Sequence, residues 1–190
     1  MDLVALKAVL YCALGLGVLI AWVRDRAHRE RGQGMEGFWP GTTRAPAAAY
    51  LIAAAGAILI TLAEAAVEVR GGLTDKQGFL PAVFIFQLLG ASIVEEMFFR
   101  GFVAPSEIFG KNLLALMVGG SVVFALIHNF DLASPEGRVN AIFAFITSLW
   151  LYITRFNPLN VDRSLLPCFM AHIVRNLAVF GIKWAQGFIT

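Results

Sequence analysis

The sequence predicts an all-α fold, a polytopic transmembrane helix bundle of about six spans that forms a single integral-membrane domain over residues 1–190. Three observations predict it. Of the 190 residues, 58% are hydrophobic and 15% are charged, against about 45–50% and about 25% in soluble domains. The mean hydropathy is +0.73. The apolar residues gather into six runs, most of them near the roughly 17–25 residues that cross a hydrocarbon core. A soluble domain of this size would expose far too much apolar surface, so the composition excludes a soluble globular enzyme and a disordered chain. A net charge of +2 is too small to mark a nucleic-acid binder.

The runs follow in order. Residues 3–23 are interrupted only by Lys7, whose stem can snorkel. No small-residue cleavage site follows Trp22, so this run reads as a span and not as a removable signal. Residues 45–67 are rich in alanine, which suits close helix packing. Residues 79–103 form the third span, 113–128 the fourth, 139–154 the fifth and 165–184 the sixth. The fourth and fifth are short. Turns are expected at Gly32-Gln33-Gly34, Trp39-Pro40-Gly41, Gly71-Gly72, Ser134 to Gly137 and Asn157-Pro158. Asn112 and Ser164 are expected helix caps. Trp22, Trp39, Trp150 and Trp184 fall near span ends and read as an aromatic belt. Cys12 and Cys168 lie far apart inside apolar runs and read as packing residues, not as a disulfide or metal pair. The first loop concentrates Arg24, Arg26, Arg29, Arg31 and Arg44, which places it in the cytoplasm and both termini outside.

Ionisable groups are costly at membrane depth, at least about 2.5–3.5 kcal/mol each at a helix centre. Here they cluster in three places. Glu95 and Glu96 are followed by Arg100 in the third span. Glu96 and Arg100 are four apart, share a helix face and can pair, which leaves Glu95 about 100° away and free. Phe124 and His128 share a face near the end of the fourth span. His172 and Asn176 share a face in the sixth. Each alone has a structural reading, as an ion pair, a polar cap or interhelical hydrogen bonds. Together they can form one polar pocket, and such a pocket inside a bilayer is a functional site by default. No serine or cysteine has a histidine partner at helical spacing, and there is no His-Glu-x-x-His zinc helix. What remains is a carboxylate and an imidazole able to deprotonate a water, with an imidazole and an amide able to donate to a developing oxyanion. That set suits amide hydrolysis by activated water. Phe99 shares a face with Glu95 and is expected, with Phe124, to line the pocket. Glu64, Glu68 and Arg70 read as an interfacial charged end, and Arg175 as a residue that snorkels or meets lipid phosphate.

The three motifs, Glu-Glu-x-x-x-Arg at 95–100, Phe-x-x-x-His at 124–128 and His-x-x-x-Asn at 172–176, resemble in kind and in order those of the CPBP family, the intramembrane CAAX proteases and bacteriocin-processing enzymes also called the Abi family. The resemblance covers roughly residues 80–180. It implies an intramembrane glutamic-type endopeptidase in which Glu95 is the general base, His128 helps to position the water, Glu96 and Arg100 order the site, and His172 and Asn176 form the oxyanion pocket. It implies no cofactor and no metal, with a zinc site of two Glu and two His as the rival. The implied partners are a membrane-anchored protein or peptide substrate and the lipid bilayer, with no nucleic acid. The short chain favours a compact member of the prokaryotic cytoplasmic membrane, similar to the myxosortases that act on C-terminal sorting tails, over a prenyl-CAAX enzyme. Two alternatives are a catalytically silent immunity or scaffold protein of the same fold and a small proton-coupled transporter using Glu95 and Glu96 as a relay.

Overall fold

The computed structural model describes residues 3–32, 39–74, 78–104 and 107–190. Six α-helices account for most of them: α1 (Leu3–Glu30), α2 (Ala47–Arg70), α3 (Phe84–Glu96), α4 (Gly110–Ile127), α5 (Pro135–Phe156) and α6 (Leu166–Ala185). α3 continues without a break into a π-helix, Met97–Phe102. Each expected span thus has its helix. Four of them, α1, α2, α4 and α5, are long and apolar enough to cross a membrane by themselves. α3 is 13 residues long and α6 carries the charged and polar residues. Large apolar side chains such as Leu14, Leu59, Leu114 and Leu126 point outward from α1, α2 and α4, where hydrocarbon can solvate them.

α3, α5 and α6 form the inner layer. α1 packs along α3, α2 bridges α5 and α6, and α4 closes against α5. The approach of α1 to α3 is close because both present glycine: a Cβ on Gly90 would collide with the backbone of Tyr11 and Cys12. One core cluster joins Trp22 to Ile93, Met97, Leu165, Cys168 and Phe169. A second joins Ala53 and Ala57 to Leu151 and Ala171, so the alanine-rich face of α2 does serve close packing.

Several boundaries differ from the sequence expectation, for identifiable reasons. α1 runs on to Glu30, past the apolar run, through Arg29–Asp25 and Arg26–Glu30 pairs at i,i+4. α3 starts at Phe84 and not at residue 79, because Leu80 exchanges backbone hydrogen bonds with Phe188 and Thr190 in an extended pairing. α4 starts at Gly110, after an extended Phe109, so Asn112 is not its cap. α5 is 22 residues long. Ser134 accepts a hydrogen bond from Gly137 N at 2.9 Å ahead of Pro135, which together start the helix four residues early. At its other end Arg155 is buried, donating to Ala104 O at 2.6 Å and Arg163 O at 3.2 Å. The N-cap position of α6 is Leu165, without a side-chain cap, so Ser164 is not the cap, although its Oγ accepts from Leu166 N at 3.3 Å. The aromatic belt is corrected at two positions. Trp22 is buried in the core with its indole N–H donating to Pro40 O, and Trp150 of α5 packs against α2, donating to Ala53 O at 3.0 Å. Trp184 is exposed. Gly32, Gly41 and Gly72 turn the chain with positive φ, while Gln33 and Gly34 lie outside the described residues.

Candidate active site

α3 and α6 run antiparallel, because Glu96 meets His172 while Ser92, one turn earlier, meets Asn176, one turn later. At the first rung Glu96 is fully buried, and its Oε1 accepts from His172 Nδ1 at 2.8 Å and from Arg100 Nη1 at 3.1 Å. A carboxylate that accepts from Nδ1 fixes the ring, so Nε2 is the histidine atom left to face outward. That Nε2 lies 3.9 Å from Glu95 Oε2, and the Glu95 side chain keeps 24% of its surface exposed. The adjacent acids are thus split by environment, Glu96 sealed and paired, Glu95 at the edge of the cluster.

Arg100 is fully buried as well. Its Nη2 donates to Ser148 O at 2.8 Å and to Ser148 Oγ at 2.5 Å, and its guanidinium lies over the rings of Tyr152, Phe124 and Phe99 at 4.6, 5.0 and 5.6 Å. Cation–π contact strengthens when water is excluded, so three rings and two helices hold this one cation. The π-helix fits the same arrangement. Its wider turn is a frequent companion of functional sites, and Tyr152 Oη donates to Phe99 O at 3.2 Å within it.

The expected pocket residues Phe99 and Phe124 are both buried, packed edge to face at 5.4 Å and turned onto Arg100. Phe124 also reaches His172 at 6.1 Å and His128 at 4.6 Å, so α4 joins the cluster through an aromatic ring. His128 itself caps the end of α4, exposed, with Nδ1 donating to Phe124 O at 2.7 Å and its ring stacked on Phe130 at 5.6 Å. Phe124 lies about 21 Å along α4 from Gly110, at about 1.5 Å per residue, whereas Phe99 is under one turn from the end of the π-helix. Between the two helices, Ala104 O accepts from Arg155 and Ile108 O from Arg163.

Asn176 is buried, with Nδ2 donating to Ser92 Oγ at 2.9 Å and to Leu88 O at 3.3 Å. Both of its donors therefore rest on α3. Its Oδ1 accepts from Arg175 Nη1 at 3.3 Å. Arg175 does not snorkel: its Nη2 donates to Glu64 Oε2 at 3.0 Å, and Lys183 Nζ to Glu68 Oε2 at 2.7 Å. Glu64 and Glu68 are buried, so they are part of the bundle interior beside the site and not an interfacial charged end. Glu64 pairs with an earlier residue of α6 than Glu68 does, which makes α2 and α6 parallel. Ser148, Tyr152 and Arg155 escaped the sequence reading. Their spacing on α5, four and then three residues, is a polar stripe that could have shown them. Among the described residues no group of three His, Cys, Asp or Glu side chains is arranged to hold a metal ion.

Fold and site together define an integral membrane bundle built around a carboxylate–imidazole–guanidinium cluster. A family model described as type II CAAX prenyl endopeptidase, Rce1-like, matches residues 77–178, from just before α3 to just past Asn176. The match spans just over half of the chain, and the chain belongs to this Rce1-like family, a protease family of the CPBP group. No curated protein and no solved structure matches the chain.

Proposed function

We propose that the protein is an intramembrane endopeptidase that hydrolyses a peptide bond near the C-terminus of a membrane-associated protein or peptide, as in CAAX-type or sorting-tail processing. The observation that carries this reading is the pairing of a half-open Glu95 with His172 Nε2 at 3.9 Å, while His172 Nδ1 is pinned to Glu96 at 2.8 Å. A gap of that length suits a shared solvent molecule. Glu95 takes a proton from that water as its oxygen bonds to the scissile carbonyl carbon. The carbonyl electron pair moves onto oxygen, where His172 Nε2 donates when the ring carries both protons. Asn176 joins by exchanging its longer bond, the 3.3 Å contact to Leu88 O, for the oxyanion. Collapse breaks the C–N bond, and the proton held by Glu95 passes to the leaving nitrogen. His128, whose Nδ1 is committed to Phe124 O, keeps Nε2 as an acceptor to orient the water. Glu96 and Arg100 act through His172 as positioning residues.

The substrate is found by comparing membrane-protein C-termini in cells with and without this protein. Purified protein then cleaves the identified tail, and Glu95→Gln lowers cleavage by about 10²–10⁴-fold and His128→Ala lowers it as well, while folding survives. Wild-type cleavage by Glu95→Gln overturns the mechanism. Activity persists in a strong chelator, and loss that zinc restores would replace this reading with the metal one.

A further inference from the structure

A cavity of about 400 Å³ lies between α2 and α6, closed partly by Phe79 and Phe130, with Glu64, Glu68, Arg175 and Lys183 on its wall. Its volume is that of a small-ligand site. It touches the candidate active site at two points, since Phe130 stacks on His128 and Arg175 bonds Asn176. In both ion pairs the cation is the more exposed partner, Arg175 at 19% against Glu64 at 11%, and Lys183 at 16% against Glu68 at 5%. All four side chains line the space, and the two cations have more of their surface open than the acids that hold them. Glu136 also borders the cavity, in the first turn of α5, where the positive end of the helix dipole stabilises its charge. Arg175 Nε is buried and has no hydrogen-bond partner among the described residues. Nη1 and Nη2 of Arg175 each carry one further N–H beyond their bonds to Asn176 and Glu64, and a carboxylate in the cavity accepts from a guanidinium through such hydrogens.

We propose that this cavity is a subsite that binds a carboxylate of the substrate peptide, with Arg175 as its receptor and Lys183 as a second cation. It rests on the proposed function in taking the ligand to be the peptide that is cut. The apolar remainder of the wall accommodates the peptide's side chains. Because Arg175 holds the Oδ1 of Asn176, a carboxylate that draws the guanidinium also moves the amide proposed to meet the oxyanion. Filling the subsite thus prepares the cut. Arg175 itself is a specificity residue and touches no reacting atom. A peptide fits better than a phospholipid, since the cations line a cavity between helices and one of them, Arg175, bonds Asn176 directly.

The test reads binding and not cleavage, on the full chain in nanodiscs and in a Glu95→Gln background. The probes are N-acetyl-trileucine with a free carboxylate, the same peptide as its C-terminal amide, and the amide of a version with one aspartate in place of a leucine. The free acid is expected to bind at least ten-fold tighter than the amide, and the aspartate peptide separates a terminal from a side-chain carboxylate. In the double variant Glu64→Gln with Arg175→Gln, which leaves no charge unpaired at that position, the preference is expected to vanish, and in Arg175→Lys to fall. Equal binding of acid, amide and aspartate peptide, or an undiminished preference in the double variant, overturns the subsite. Binding of short-chain phosphatidylglycerol with no binding of either carboxylate peptide overturns it in favour of a lipid site. Acid preference without any proteolysis leaves the carboxylate receptor standing and sinks only the enzyme reading.

Discussion

Two sets of charges lie inside this bundle, and they are held in different ways. In the cluster of Glu96, Arg100 and His172 each charged group is almost completely sealed, and Arg100 alone touches Glu96, Ser148 and three aromatic rings. In the pairs Glu64–Arg175 and Glu68–Lys183, each acid meets one cation, and the cations keep part of their surface open to a cavity. Burying a charge costs several kcal/mol unless partners compensate it. The first set meets that cost with many fixed contacts, which suits a frame that must not move. The second meets it with one contact per acid, which suits groups that exchange partners when a ligand arrives. The same helix, α6, contributes His172 to the first and Arg175 and Lys183 to the second, so the difference comes from the neighbours and not from the helix.

The largest effect expected from breaking this contrast is on the sealed set. Arg100→Ala leaves Glu96 fully buried with its cation gone, and loss of one partner of a buried pair costs about 3–5 kcal/mol. Thermal or denaturant unfolding in detergent reads it directly, and a loss under about 1 kcal/mol would mean that Arg100 is not the keystone described. Next comes Glu95→Gln, which touches no sealed contact. It is expected to lower cleavage by about 10²–10⁴-fold, the usual worth of a general base, with unfolding unchanged. A matching loss of stability would place Glu95 in the frame instead. Smaller again is Ser148→Ala, which removes a hydroxyl but leaves the carbonyl that Arg100 also uses. The expected loss is about 1.5 kcal/mol, the low end for a hydrogen bond to a charged group, and cleavage should fall through kcat more than through KM if Arg100 acts by positioning.

The number of helices was legible because apolar runs long enough for a bilayer have few other uses. Their ends were not, wherever a polar residue turned inward. Arg155 lies one residue past the expected end of the fifth span, yet it is buried and donates to Ala104 O, a tertiary contact that no local spacing records. Glu96 and Arg100 could be paired on paper because both sit on one helix, four residues apart. The bond from Glu96 to His172 joins residues 76 apart in sequence, so no local spacing pairs them; the cost of polar groups at membrane depth suggested a shared pocket, and the family resemblance suggested their roles. The π-helix left no trace at all, since nothing in the residues from Met97 to Phe102 marks a wider turn. Glu64 and Glu68 read as a charged helix end and Arg175 as a snorkelling residue, while Lys183 drew no reading, because a charge near a helix end is locally explained by water or headgroups. Their complementarity needs α2 beside α6 and parallel to it, which is tertiary information.

The smallest effect sharpens the contrast most. Arg175→Gln alone strands Glu64 beside Glu68 and is expected to destabilise the bundle, whereas Glu64→Gln with Arg175→Gln removes both charges and keeps two amides of similar shape. Replacing both partners of an ion pair by neutral groups of like volume is often close to neutral, so the double variant should unfold within about 1 kcal/mol of the wild type. The pair would then be an interaction held for recognition, and the double-mutant cycle formed with the two single variants gives its coupling energy. Should the double variant instead lose as much as Arg100→Ala, the pair would belong to the same rigid frame as Glu96 and Arg100. The cavity would then be a by-product of helix packing, and the division between a fixed and an exchangeable set of charges would be wrong.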